Sequence, residues 1–166
     1  MAERIQEALD QLHIKYKTKE VTGPDKQKVT VWILTHGSLK LVVFRNLTDQ
    51  YILRYQILLK PEDVEAFSKQ SDGIRNDILG ILTRESLDGR SGYTLIWDDK
   101  KRFSGIAIDQ QIMLRDTGAH TLQRFIDGIQ ELVVLGMRCN VVLHKAFGLK
   151  SDNAITFSSQ PGMMFG

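Results

Sequence analysis

Cysteine occurs once among the 166 residues, at Cys139, so the chain has no disulfide framework of its own. Proline occurs three times and no Pro-rich, low-complexity or repeated tract is present. No run approaches the ~18 uninterrupted apolar residues of a membrane span, and the opening MAERIQEALDQL lacks the apolar core of a signal peptide. These absences predict a soluble, cytoplasmic protein with no membrane association. Charge of one sign is also missing: 22 Lys and Arg stand against 20 Asp and Glu, and neither half of the chain forms a basic arm or an acidic tail. A pI near 8.7 without clustering is a poor electrostatic footprint for nucleic acid.

The chemistry-bearing motifs are missing as well. His13, His36, His120, His144 and Cys139 form no pair with the spacing of metal ligands. No Gly-x-Ser-x-Gly elbow, phosphate-binding Gly-x₄-Gly-Lys-Ser/Thr or dinucleotide fingerprint occurs. Cys139 falls in the apolar end of a helical pattern, where burial makes a thiol inert. Asp98-Asp99 could pair as acid and base, but two carboxylates in a hairpin turn are ordinarily turn formers. The sequence predicts no catalytic residue, no metal, no cofactor and no enzyme activity.

What is there is organised around Lys28–Leu59, KVTVWILTHGSLKLVVFRNLTDQYILRYQILL, which reads as three strands and two turns. Val29, Val31 and Ile33 point away from Trp32 and Leu34, and Leu41 and Val43 away from Val42 and Phe44. Both faces are therefore apolar, and both need a cover. Ahead of the meander, Ile5, Ala8, Leu9 and Leu12 space a short amphipathic helix, and Lys15–Val21 alternates as a strand. Behind it, Pro61 opens a helical stretch reaching Leu87, split at Ser71-Asp72-Gly73, with Asp72 as its second cap. Tyr93–Trp97 and Arg102–Ile108 make a hairpin. A long helix runs from beyond Gly118 to Phe147, and Gly128 and Gly136 on it would admit another backbone.

The fold class is thus α+β: an antiparallel sheet of five to six strands with an N-terminal helix, a central split helix and a long C-terminal helix, in the order α-β-βββ-α-ββ-α. Residues 1–148 are expected to form one domain and residues 149–166 a flexible tail. The two-sided sheet nominates Trp32, Leu34, Val42 and Phe44 as partner-binding residues. The lysines Lys15, Lys17, Lys19 and Lys28 are the candidates for a polyanion such as nucleic acid, although lysines on an exposed strand also protect a sheet edge.

That order of elements, carried by IQEALDQL, the Lys28–Leu59 meander, the Tyr93–Ile108 hairpin and TLQRFIDGIQELVVLG, resembles the class I type III secretion chaperones and their uncharacterised bacterial and archaeal relatives. The resemblance implies a non-enzymatic, chaperone-like homodimer that presents hydrophobic surface to a partner polypeptide. Those chaperones tend to be acidic and this chain is mildly basic, so the fold and the dimer habit carry over, and no secretion role or binding residue does. The leading expectation is a homodimeric protein-interaction module, and the alternative a nucleic-acid-binding protein using the lysine strand.

Overall fold

A computed structural model describes residues 3–22, 28–36, 39–47, 50–87, 91–113 and 119–147. The expected tail lies outside them. Helix α1 (Glu3–Gln11) is followed by strands β1 (Tyr16–Thr22), β2 (Lys28–His36), β3 (Leu39–Leu47) and β4 (Gln50–Leu58). Then come α2 (Pro61–Ser68), α3 (Asp72–Ser86), β5 (Ser91–Trp97), β6 (Phe103–Met113) and α4 (Ala119–Phe147). The α+β class, the split central helix and the long last helix are as the sequence predicts.

All six strands join one antiparallel sheet in the order β1-β2-β3-β4-β6-β5. The hairpin therefore enters through its second strand: β6 pairs with β4 from Gln50↔Met113 to Leu58↔Gly105, and β5 becomes an edge. At that junction Gly105 leaves room for β4, because a Cβ there would stand 2.3 Å from the Ile57 carbonyl oxygen.

The sheet's alternation sorts its apolar residues into two clusters. Trp32, Leu34, Leu41, Val43, Tyr51, Leu53, Tyr55 and Ile108 face the helices and form the main core with Ile5, Leu9, Phe67, Leu82, Phe125, Leu132, Leu135 and Leu143. On the opposite face Val21, Val31, Val42 and Phe44 make a smaller cluster to which no helix residue contributes. Beside it Arg54 lies 5.4 Å over the Phe44 ring and makes two 2.7 Å bonds to Asp109. The expectation that both faces carry apolar clusters holds, and the described helices supply the cover for one of them.

The ends of the helices follow local chemistry. After α1, His13 adopts a left-handed φ of 53°, and the Ile14 amide donates to the Leu9 carbonyl at 2.9 Å, which tucks Ile14 back against the core. The cap of α3 is Ser71 rather than Asp72: its hydroxyl accepts from the Ile74 amide at 3.5 Å, while Asp72 already lies in the first turn and pairs with Arg75. Arg75 also donates to the Ser68 carbonyl at 2.9 Å, tying the end of α2 to the start of α3.

Candidate functional site

Helix α4 is apolar on more than the side it turns to the sheet. Phe125, Leu132, Leu135, Cys139 and Leu143 point inward and are buried. Gly136 lets the helix sit directly on the sheet, since a Cβ there would meet the Tyr55 ring at 2.1 Å, and Gly128 does the same over Leu53 and Ile112. Both glycines thus admit sheet side chains, not the backbone that their spacing suggested. On the outer side of the same helix Val134, Met137 and Val141 are 47, 54 and 52% exposed. Residues three, four and seven apart share a helix face, so these three make one continuous ridge.

Helix α3 runs beside it. Leu82 turns into the core, whereas Ile74 and Ile81 stay in contact with solvent. Between the two helices lies a groove of about 730 Å³, floored by Ile78, Ile81, Val142 and Ala146 and walled by Val134, Met137 and Val141. Its charged rim consists of Glu85 on α3 and Arg138 and Lys145 on α4. Just below, burial pushes the Cys139 thiol up to about 11, with the Glu85 carboxylate adding to the shift. Burial likewise raises the Tyr55 phenol to about 12, with Cys139 as the smaller cause. Neither group is a nucleophile or a base at neutral pH.

The residues nominated from the sequence lie elsewhere. Trp32 and Leu34 are packed in the main core beneath the helices, and Val42 and Phe44 are buried on the other face of the sheet, so the four form no common exposed surface. Lys15, Lys17 and Lys19 are exposed at the outer edge of the sheet, on or next to β1, and Lys28 is 3.5 Å from Glu20. Asp98 is held by its own hairpin: its Oδ1 accepts from the amides of Lys100 and Arg102 at 2.9 and 2.8 Å, and its Oδ2 from Arg102 Nε at 2.8 Å. The Arg102 amide, followed by its guanidinium, holds the Asp98 carboxyl below the usual range. Among the described residues no cluster of three metal-ligating side chains forms, and no helix is long and apolar enough to cross a membrane.

A second, polar cleft of about 320 Å³ lies where the end of β6 meets α4, lined by Gln110, Arg124, Asp127 and Glu131 among others. Gln110 donates its amide to Glu131, and its Oε1 is sealed from solvent close to Gly128. The cleft therefore offers a ligand its exposed charged rim and not that buried oxygen.

The groove escapes the sequence reading because helical periodicity alone does not separate Met137 and Val141 from the buried positions of α4. The usable signal was the run Leu132-Val133-Val134-Leu135, since four successive apolar residues turn through more than one face of a helix.

Neither a protein family nor a curated protein matches the chain. Among solved structures it is similar to an uncharacterised protein from Methanothermobacter thermautotrophicus, with a TM-score of 0.68 and 13% identity over 88% of this chain and 98% of that one. YbjN from E. coli, for which a role as a transcription regulator has been suggested, gives a TM-score of 0.49 and 9% identity over 88% and 90%. At these identities the likeness to the archaeal protein shows the fold alone.

Proposed function

We propose that the chain is a non-enzymatic protein-interaction module, and that the α3–α4 groove is the surface it offers to an apolar, helix-bearing polypeptide. The observation that carries this reading is the half-exposed ridge Val134, Met137 and Val141 beside the groove. A contiguous apolar patch rimmed by charge is the usual mark of a protein contact on a water-exposed surface. Covering three half-exposed side chains of this size contributes about 1 kcal/mol each. A helix seats its ridge in a groove between two neighbours at interaxial distances of about 8–10 Å. The chaperone-like order of elements agrees with such a role.

The test is site-specific photo-crosslinking in cells, with a photo-activatable residue in place of Met137 and, as control, in place of the exposed turn residue Asp99. Covalent polypeptide adducts from position 137 and few from position 99 are expected. Equal yields from both positions, or none from 137, would overturn the reading.

A further inference from the structure

We infer that the uncharged edge of the sheet is a strand-binding surface whose occupant is the chain's own residues 153–159, paired antiparallel with β5 as a seventh strand. The two edges of the six-stranded sheet are β1 and β5, and they differ in kind. β1 carries Lys17 and Lys19, with Lys15 just before it, and such charges keep an edge from pairing further. β5 reads SGYTLIW and has neither a charge nor a proline. Among the described residues no backbone hydrogen bond reaches it from the side away from β6. A seven-residue border of open amides and carbonyls without such a guard is a template for one more strand.

Three observations identify the occupant. The first is where α4 ends. Ring-to-ring steps of 5.7, 5.2 and 5.9 Å lead from Phe147, the last residue of α4, through Phe67 and Phe103 to Trp97, the last residue of β5. The chain that follows α4 thus starts beside one end of the open edge, and following the edge from there means running antiparallel to β5. The five residues 148–152 span up to about 17 Å when extended, enough to cover that distance. The second is sequence. Residues 153–159 read NAITFSS, an uncharged run in which Ile155 and Phe157 alternate with small or polar residues, and Pro161 beyond it stops a ladder. The third is register. Setting Ile155 opposite Leu95 also sets Phe157 opposite Tyr93 and Thr156 opposite Thr94, and it matches the seven residues of the segment to the seven of β5 end to end. Tyr93 and Leu95 are half-buried and packed against the main core on the helix side of the sheet. Ile155 and Phe157 extend that apolar side by one strand, with an aromatic pair across the ladder.

A free peptide of this length would hold such an edge weakly. A five-residue tether gives the segment an effective concentration on the order of millimolar, so a short strand suffices. Trp97, which is 48% exposed, lies in the path from α4 to the edge and gains a cover from the crossing chain. Both borders of the sheet are then closed to other chains, β1 by charge and β5 by its covalent neighbour.

The experiment is disulfide trapping in the dilute, purified full chain, with hydrogen exchange as a second readout. Thr94 is exposed and Cys139 is buried, so new cysteines can be oxidised without involving the native thiol. Directly opposed residues of an antiparallel pair lie within disulfide reach. Thr94→Cys with Thr156→Cys should therefore close an intramolecular bond at least tenfold faster than Thr94→Cys with Ser151→Cys, whose second position lies outside the inferred ladder. In the parent chain the β5 amides that point away from β6 should be protected. Thr156→Pro should speed their exchange at least tenfold while those of β4 keep their protection, which shows the fold intact. Equal trapping at positions 151 and 156, or none at 156, overturns the inference. A 94–156 bond that joins two copies overturns the pairing within one chain. Exchange in β5 that ignores Thr156→Pro overturns it as well, whatever the trapping shows.

Discussion

Tyr55, Gly136 and Cys139 meet where α4 rests on the middle of the sheet, and their fit is steric before it is chemical. A methyl group on Gly136 would stand 2.1 Å from a ring carbon of Tyr55, a buried side chain with nowhere to move. Gly136→Ala should therefore destabilise the fold by about 2 kcal/mol or more, as overpacked cores do. Gly80 on α3 has nothing within 4 Å of its would-be Cβ, so Gly80→Ala should stabilise by about 1 kcal/mol through helix propensity alone. Paired denaturant titrations of the two variants separate the roles. The same contact gives alkaline sensitivity. The Cys139 thiol is raised from 9.0 to about 11 and the Tyr55 phenol from 10.0 to about 12. Below their ordinary values both are neutral folded or unfolded, and no stability is lost. Above about pH 9 the unfolded chain ionises first, so stability should fall progressively toward pH 12. Cys139→Ala should flatten the first part of that fall in thermal melts across pH, and an unchanged slope would assign the sensitivity elsewhere.

Among the elements, the β5–β6 hairpin shows one carboxylate organising a turn. Asp98 collects two backbone amides and the Arg102 guanidinium, while Lys101 takes a left-handed φ of 58°. With the folded pKa of Asp98 lowered, its contribution is present above the ordinary carboxylate range and disappears as pH falls through the folded value. Asp98→Ala should accordingly lower the melting temperature at pH 7 and make little difference near pH 2. A shift of equal size at both would count against the carboxylate. Sequence reading was surest where chemistry is local in this way: the Asp98 turn, Pro61 at the start of α2, and the alternation of β2 and β3 all rest on neighbours in the chain. It located the break at Ser71–Gly73 and chose Asp72 over Ser71 as the cap, one position out, because both residue types suit that role. It nominated Trp32 and Leu34 as partner-binding because alternation separates two faces without saying which one the helices take. The ridge of α4 was hidden for the same reason, since periodicity finds apolar directions and only tertiary packing says which are already occupied.

For the whole molecule, strand order decides where stability is concentrated. β4 and β6 sit side by side under α4, with Tyr55, Leu53 and Ile108 fully buried and Arg54 bonded to Asp109 across their ladder. β1, by contrast, is an edge strand whose residues are mostly exposed. Native-state hydrogen exchange should find the slowest amides in β4 and β6 and the fastest strand amides in β1. Uniform protection across the sheet would mean that its edges and centre open as one unit.

The insertion of β6 between β4 and β5 also has a consequence during synthesis. The last residue of β4 is Leu58 and its partner on β6 is Gly105, so the 46 residues from 59 to 104 must be made before the ladder can begin. At about 5–20 residues per second the ribosome needs roughly 2–9 s to supply them. Throughout that interval the nascent meander carries β4 as an open border. A chain stalled inside α2 or α3 would be the one most prone to pair with its neighbours on the same message.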